Sequence, residues 1–224
     1  MSLSVFLSHS HIDKHIAGNF KQCFLRYFGF EVFLAHEDLE ISTEWNQKLV
    51  ANLKSCNIFI PLISKNSQSS VYVNQEIGLA LGGAKKIIAI KLDTTDPFGF
   101  LSLYQACGFH TVGEIIEKGL NFDKGYFFTA AKIFTHIMHS TQYGIMKYKV
   151  PAIDSLIYAL SQSSSWKTSI VVTSILLENQ TLISLSPIQL KNLAKVVKQN
   201  SQVHQSFAYQ DLRKMLQDEY QISL

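Results

Sequence analysis

A short apolar run constrains the fold of this chain more than any other feature of its sequence. Residues 57–63 read NIFIPLI and are followed by the polar stretch SKNSQSS at residues 64–70. A strand with one face in water alternates apolar and polar residues, whereas a strand that is covered on both faces reads as an unbroken apolar run. Residues 57–63 therefore predict a central strand of a parallel sheet, with helices packed on both of its faces.

Further β-rich runs alternate with helical patterns through the first part of the chain. These runs occupy residues 4–7, 30–34, 86–92 and 109–112. The helical pattern after the first run ends at Gly29, a typical C-cap. The next helix is expected to begin at Trp45, behind an N-cap at Ser42 or Thr43.

This alternation predicts an α/β fold, namely a flavodoxin-like sheet of five parallel strands in the order 2-1-3-4-5, with helices on both faces. A third helix over residues 73–81 and a closing helix over residues 126–139 complete the expected domain. In this order the loops after the first and third strands meet at the switch point, where such sheets bind ligands. We therefore expect a ligand to meet the loop after residue 7 and the stretch 64–70.

The pattern changes from about residue 144, where one helix is expected to follow another. The predicted helices span residues 151–161, 166–178, 187–199 and 205–217. The sequence thus predicts an α/β domain at residues 1–143 and an all-helical C-terminal domain at residues 144–224. The helical domain is expected to pack on the α/β domain, to present a surface to a partner, or to do both.

Composition excludes several classes of protein. Hydrophobic residues make up 47% and charged residues 17%, as in a globular chain, and the net charge of +3 is too small and scattered for a nucleic-acid footprint. The longest apolar run, at residues 169–177, is far shorter than a membrane span, and the first residues do not resemble a signal peptide. We expect a soluble cytoplasmic protein with no membrane or nucleic-acid partner, and Cys23, Cys56 and Cys107 in the reduced state.

The loop HSHIDKH at residues 9–15 raises the question of a metal site. It nearly matches the HxHxDH signature of metallo-β-lactamase-like hydrolases, but Lys14 stands where the third histidine should be. The later histidines form no second cluster along the sequence, whereas a catalytic zinc needs at least three converging ligands. No metal site is expected. Instead, His11 and His15 are predicted on an exposed helix face, with Asp13 near the positive end of the helix dipole.

Three motifs in order resemble the TIR (Toll/interleukin receptor) domain family. SVFLSHSHIDK at residues 4–14 resembles its first box, a strand followed by a small polar loop. FGFEVFLAHEDLEISTEW at residues 28–45 resembles its second strand, its BB loop and the Trp of the following helix. NIFIPLISKNSQSSVYVNQEIGLAL at residues 57–81 resembles its third strand and the box that contains Ser, an aromatic residue and Glu. The resemblance covers roughly residues 3–140.

The resemblance implies an activity and a site. Enzymatic TIR domains cleave NAD between nicotinamide and ribose, and their catalytic glutamate maps by resemblance to Glu76. Tyr72 lies one helical turn earlier and could stack on a substrate ring at the rim of the cleft, although many relatives have Trp there. The remaining substrate-binding candidates are Ser8, His9, Ser10 and Trp45. NAD is expected as a substrate, and no cofactor is implied.

Each assignment has a plainer alternative on the sequence alone. On spacing alone, a solvated helix glutamate is a better interpretation of Glu76 than a catalytic one, and the match to the third box is what favours catalysis. Ser8, His9 and Ser10 could simply form a turn after the strand, and Trp45 could belong to the core.

The segment between the second strand and the next helix departs from the family pattern. It carries Glu37, Asp38, Glu40 and Glu44, which would repel a pyrophosphate. We expect this acidic segment to pack against another copy of the chain, with Lys85 and Lys86 as a candidate basic counterpart. Self-association through the TIR domain, and through the helical domain as well, follows as an expectation.

Three functions are compatible with these features. The first is an NAD-consuming TIR enzyme of antiphage defence, which releases nicotinamide together with ADP-ribose or a cyclic ADP-ribose-type signal. The second is a non-catalytic TIR interaction module whose helical tail recruits a partner. The third is another flavodoxin-like enzyme, such as a relative of the nucleoside deoxyribosyltransferases.

Overall fold

The computed structural model describes residues 3–34, 45–109, 124–138, 149–163, 166–178, 185–205, 208–218 and 220–222. Contacts within the chain define two compact units, Met1–His110 and Thr111–Leu224. The first unit contains the sheet. In the second unit, the secondary-structure elements that the structure describes are all helices.

The described strands of the first unit form one parallel sheet. Its strands are β1 (Ser4–Ser8), β2 (Glu31–Leu34), β3 (Ile58–Ile63), β4 (Lys86–Ile87), β5 (Ala89–Lys91) and β6 (Ala106–Gly108). The strands follow the order β2-β1-β3-β5-β6, and β4 also pairs with β3. The predicted fold class, a flavodoxin-like parallel sheet with helices, is confirmed.

The strand order differs from the predicted one only because the fourth strand is divided. β4 and β5 both pair with β3 and lie on either side of Ile88. The amide N–H of Ile88 still donates to the carbonyl of Phe59 at 3.1 Å. Two residues further along β3 stands Pro61, which has no N–H to donate. The hydrogen-bond ladder of β3 therefore lacks one donor near the interruption between β4 and β5.

Four helices of the first unit lie within the described residues. They are α1 (Lys14–Phe28), α2 (Trp45–Ser55), α3 (Lys65–Gln68) and α4 (Val71–Gly82). The stretch 64–70, predicted as a loop, contains α3 instead, because Ser64 and Ser67 form a reciprocal capping box that stabilises one helical turn. The predicted N-caps of α2, Ser42 and Thr43, lie outside the described residues.

Both faces of the sheet are covered, as the unbroken apolar run predicts. All six residues of β3 are buried. On one face, Phe6 and Phe59 pack in a cluster with side chains of α2 and α4, and their ring centroids are 5.7 Å apart. Phe20 and Phe24 of α1 are also fully buried and stack at 6.1 Å, and α1 contacts β2.

The last strand lies earlier than the sequence pattern indicates. The fifth strand was expected at residues 109–112, but β6 spans Ala106–Gly108 and pairs with β5. Most of the expected range lies outside the described residues. The run ACGFHTV is apolar along most of its length, so periodicity does not fix where pairing ends.

The helices of the second unit follow the predicted pattern. They are α5 (Lys124–Met138), α6 (Lys149–Gln162), α7 (Trp166–Glu178), α8 (Pro187–Gln199), α9 (Ser201–His204) and α10 (Ala208–Asp218). The helix predicted at residues 205–217 corresponds to α10, and the short helix α9 lies before that range and was not predicted. The contact-based units divide after residue 110. The domain boundary predicted after residue 143 lies outside the described residues and stays a prediction. The helix α5 contacts α7 and belongs to the second unit.

Two expectations about composition can be compared with the described residues. Cys23 and Cys56 are buried, Cys107 is partly buried, and all three are free thiols. Within the described ranges, none of the helices combines the length and the hydropathy that a membrane crossing requires.

A pair of glycine substitutions tests the backbone of the first unit. Gly29 ends α1 with φ of 63°, in the left-handed region that disfavours a Cβ. We predict that Gly29→Ala lowers the free energy of unfolding by about 1 kcal/mol. Gly78→Ala is the matched control, because its added methyl meets no heavy atom within 4 Å and it lies inside α4. That variant should gain up to about 1 kcal/mol in urea denaturation. Equal effects of the two substitutions would contradict the assignment of Gly29 as a left-handed cap.

Candidate active site

The loops after β1 and β3 begin side by side at the carboxyl edge of the sheet. The last residue of β1, Ser8, pairs with Pro61, two residues before β3 ends at Ile63. Chain connectivity therefore places residues 9–13 beside residues 64–70, as the predicted strand order requires. This edge is where open parallel sheets usually bind ligands.

A buried hydrogen bond joins this edge to α4. The Ser8 hydroxyl donates a short hydrogen bond to Oε2 of Glu76, and both side chains are buried. The other carboxyl oxygen of Glu76, Oε1, is also buried and accepts no hydrogen bond from any residue that the structure describes. One oxygen is thus fixed by the protein, while the other keeps its hydrogen-bonding capacity for a ligand.

Burial changes the ionisation of Glu76. It raises the pKa of the carboxyl from its ordinary value of 4.5 to about 7, because the charged form loses water. The hydrogen bond from Ser8 favours the charged form and acts in the opposite direction. Near neutral pH the group is therefore poised between its protonated and ionised states.

The position of Glu76 corrects two expectations from the sequence. Glu76 is only 2% exposed, so it is neither a solvated helix residue nor a carboxylate at the rim of an open cleft. It lies in the buried stripe of α4, beside Val73 and Ile77. Tyr72, one turn earlier, is 54% exposed. The two residues are neighbours along the helix but lie in different environments.

The other predicted site residues differ in their burial and in whether the structure describes their side chains. His9 and Ser10 are buried and directly follow Ser8 at the carboxyl edge of the sheet. Trp45 begins α2, but its side chain is outside the described part of the structure. The roles of these residues in substrate binding stay predictions.

Sequence reasoning missed a second polar connection at the same edge. Asp13 was expected to act only on a helix dipole, but it is buried and bridges the two loops. Its Oδ2 accepts a hydrogen bond from the Ser64 hydroxyl at 2.6 Å, and its Oδ1 accepts one from the Asn66 side-chain amide at 2.9 Å. The signal was present in the sequence, because an aspartate in one switch-point loop and hydroxyl and amide donors in the other can pair there.

The histidines of the same loop do not gather around Asp13. His11 and His15 are exposed. Among the residues that the structure describes, no group of three or more His, Cys, Asp or Glu side chains is placed to hold a metal ion.

A third loop is tied to this edge by another carboxylate. Asp93, which follows β5, accepts a hydrogen bond from the backbone N–H of Lys65 at 3.0 Å and one from the N–H of Thr95 at 2.8 Å. Its slight burial raises the pKa of the carboxyl, but these hydrogen bonds and the charge of Lys91 outweigh that effect. The net pKa therefore lies below its ordinary value, as expected for a carboxylate that accepts several hydrogen bonds.

The basic counterpart proposed for the acidic segment is partly engaged within its own chain. The Lys85 ammonium donates a short hydrogen bond to the carbonyl of Lys54 and a second one, at 2.9 Å, to the carbonyl of Cys56. These carbonyls lie at the C-terminal end of α2, where a cation is favoured. Lys86 lies in β4. The acidic residues 37–44 are outside the described residues.

The described residues also form two grooves elsewhere on the chain. One, of about 590 Å³, lies along α8 and is lined by Lys191, Lys195 and Lys198 over an apolar floor. The other, of about 320 Å³, lies at the amino ends of β1 and β2. Neither lining includes Glu76. We place the candidate site at the carboxyl edge, because the orphaned carboxyl oxygen and the shifted ionisation of Glu76 are found there.

Comparisons with known proteins identify the family. A family model of the TIR domain matches residues 5–118, just over half of the 224 residues. No curated protein matches the sequence. One similar solved structure is the TIR domain of a Toll-related receptor from Hydra magnipapillata, with 15% identity, a TM-score of 0.42, and coverage of 46% of this chain and 82% of that one. Another is the 2-desoxiribosyltransferase from Leishmania mexicana, with 11% identity, a TM-score of 0.35, and coverage of 46% and 72%.

Both structural similarities are too weak to bear on function. The family assignment rests instead on the match along the sequence, which spans the three motifs and the edge of the sheet that carries Ser8 and Glu76. This chain belongs to the TIR domain family.

Proposed function

We propose that this chain is an NAD-consuming enzyme that cleaves the bond between nicotinamide and ribose. The observation that carries the proposal is the Glu76 carboxyl, which is buried at the switch point with one oxygen bound by Ser8 and the other without a partner in the described residues. A group in this state has a raised pKa, which is typical of reactive sites. Family membership supports the proposal, because enzymatic TIR domains act on NAD.

The proposed chemistry needs only one carboxylate. When the glycosidic C–N bond breaks, its electron pair moves to the pyridinium nitrogen, and nicotinamide leaves as a neutral ring. No general acid is required, unlike the pair of acids in ordinary glycoside cleavage. Glu76 Oε1 would accept hydrogen bonds from the ribose hydroxyls, and its charge would stabilise the positive charge that develops on the sugar.

The ionisation of Glu76 fits this role. The proposed reaction uses the carboxylate, which near neutral pH is only part of the population. A nicotinamide ring with a positive charge beside Glu76 would favour the ionised form and lower the pKa. Binding of the substrate would therefore convert the remaining protonated Glu76 to the carboxylate that the reaction uses.

The acceptor determines the product. Water would bond to the sugar carbon and give ADP-ribose, with one proton released, whereas attack by the adenine or ribose end of the substrate would give a cyclic product. Both routes share the cleavage step at Glu76. We propose NAD as a substrate and assign no cofactor.

The same proposal includes an activation step. With Glu76 only 2% exposed, the ribose reaches Oε1 only after covering residues move. Self-association through the TIR domain and the helical unit is our proposed trigger, in a cytoplasmic role in antiphage defence. Such control would protect the host, because an enzyme that was always open would deplete its NAD.

A non-catalytic interaction module is the second candidate function. It is favoured by the exposed apolar side chains of the first unit, which include Val71, Tyr72, Phe100 and Leu103. Large exposed apolar residues are common where proteins bind one another. The two candidates differ in whether Glu76 is needed for any chemical product.

The first prediction of the proposed function concerns the Glu76 carboxylate. Glu76→Gln keeps the size of the side chain and an acceptor for Ser8, but it removes the charge. We expect nicotinamide release from NAD to fall by at least roughly 100-fold, because the sugar cation loses its stabilising carboxylate. The assay is chromatography with mass spectrometry on concentrated protein. Glu31→Gln is the matched control, since Glu31 is an exposed glutamate on β2.

The control should release nicotinamide at the native rate. If the native protein releases none at any concentration, the interaction module becomes the better account. Release of a free base from a deoxynucleoside would instead favour the deoxyribosyltransferase alternative.

The second prediction concerns pH. Because the reaction uses ionised Glu76, kcat/KM should rise with pH with a midpoint near 7. The hydrogen bond from Ser8 lowers the pKa of Glu76, so Ser8→Ala should move this midpoint upward. Ser55→Ala, which removes an exposed hydroxyl at the end of α2, should leave it unchanged. A midpoint that stays the same or moves downward in Ser8→Ala would refute the assigned role of Ser8.

The third prediction concerns stability. The folded-state pKa of Glu76, about 7, lies above its ordinary value of 4.5, so the folded protein holds this proton more tightly than the unfolded chain. The resulting stabilisation of the folded protein is fully present below pH 4.5 and is lost as the pH rises through 7. The loss lowers the free energy of unfolding by an amount on the order of 3 kcal/mol.

Glu76→Gln cannot ionise and should escape this loss. Its free energy of unfolding in urea, relative to that of the native protein, should rise between pH 5 and pH 8 by about 1–3 kcal/mol. A difference that does not change with pH would show that Glu76 titrates normally in the folded state.

A further inference from the structure

We propose that Asp13 is a positioning residue for the Glu76 site: it closes a ring of hydrogen bonds that joins the loop after β1 to the segment carrying Glu76. The inference rests on the proposed function and adds a residue that acts on the reaction without touching the substrate. We refer to the ring of contacts from Ser8 through Asp13, Ser64 and Asn66 to Glu76 as the loop ring.

The first half of the loop ring is the chain after β1. It starts at Ser8, whose hydroxyl binds Glu76. Five residues later the chain has turned, and the backbone N–H of Asp13 donates to the carbonyl of Ser10 at 2.9 Å. This turn is a single 3₁₀ turn over His11–Asp13, after which α1 begins. Asp13 is thereby held at a short, defined distance along the chain from Ser8.

The second half of the loop ring crosses to the segment after β3. The Asp13 carboxylate accepts from Ser64 and Asn66, at the start of α3. Both carboxylate oxygens are used, one for each donor. The Ser64 hydroxyl also accepts the backbone N–H of Ser67 at 3.0 Å, so the residue that binds Asp13 is also the N-cap of α3.

The helices α3 and α4 are joined to each other, which completes the ring. The side-chain amide of Asn74 donates to the carbonyls of Gln68 at 3.3 Å and Ser70 at 2.9 Å. Ser70 in turn caps α4 by accepting the N–H of Val73. A displacement of α3 is therefore transmitted to the first turns of α4, where Glu76 lies.

Two links constrain α4 better than one. The hydrogen bond between Ser8 and Glu76 connects α4 to the loop after β1 at a single point, in addition to the packing of α4 in the core. The bonds of Asp13 fix the preceding segment to the same loop. Bonds to a buried carboxylate are stronger than neutral ones, and their loss would leave buried donors unpaired. Because misplacing a catalytic group by 1 Å can cost about 100-fold in rate, this second link bears on catalysis.

The test compares substitutions that open the ring with one that does not. Asp13→Asn keeps the shape of the side chain but loses its charge and one of its acceptor oxygens. Asn66→Ala removes one donor by a smaller change and serves if Asp13→Asn does not fold. Asp96→Asn is the control, because it removes an 87% exposed carboxylate of the same unit that pairs only with Lys91 among the described residues.

Two readouts are needed, of which one does not depend on turnover. For Asp13→Asn we expect kcat for nicotinamide release to fall at least tenfold while KM changes less than twofold. In carbon-detected NMR of the carboxyl, the titration midpoint of Glu76 should move from about 7 toward 4.5, since a displaced carboxyl regains water. Asn66→Ala should show the same changes to a smaller degree, and Asp96→Asn should show neither.

The outcomes separate this proposal from the proposed function. If folded Asp13→Asn and Asn66→Ala keep the native midpoint and kcat, Asp13 does not position Glu76, although the NAD activity stands. If the midpoint moves but no variant and no native protein releases nicotinamide, the ring positions Glu76 and the assigned reaction is wrong. A rise in KM with an unchanged kcat and an unchanged titration midpoint of Glu76 would also overturn the proposal.

Discussion

The hydrogen bond between Ser8 and Glu76 is the interaction on which the rest of the site depends. It joins the last residue of β1 to the middle of α4, at the switch point where the strand order of the sheet reverses. It also distinguishes the two carboxyl oxygens, because one is bound by the protein and the other accepts no hydrogen bond from any described residue. The environment that makes this bond possible is a tightly packed sheet edge, and the same environment raises the pKa of Glu76.

The buried Glu76 carboxyl destabilises the fold and, in our account, serves the reaction. A buried carboxyl with an orphaned oxygen weakens a fold, since the desolvated group gains too few partners in return. Such groups are retained mainly where they serve a function. In our account the loss is offset by binding a cationic substrate, whose ribose supplies the missing donors and whose ring favours the charged form. The links through Asp13 keep the group in place while the site is empty.

Much of the fold could be predicted from the sequence, because it follows from periodicity. The unbroken run in β3 predicted its burial, Gly29 marked the end of α1, and the number of strands favoured the flavodoxin-like order over a longer sheet. The site was predictable only as a set of positions. Spacing places Tyr72 and Glu76 on neighbouring turns, but the rotation of α4 against the sheet decides which of them is buried. The bridge from Asp13 joins residues 51 and 53 positions apart, and no local pattern carries such a contact.

The most direct test of the central claim is the pH at which the Glu76 carboxyl loses its proton, followed by carbon-detected NMR without and with a substrate analogue. A carbocyclic NAD analogue keeps the cationic pyridinium but is not cleaved, and NADH provides a neutral ring for comparison. Our account predicts a midpoint of about 7 in the free protein, a lower midpoint with the cationic analogue, and a smaller change with NADH. A midpoint near 4.5, or one that the cationic analogue leaves in place, would contradict a role for Glu76 in binding and cleaving NAD.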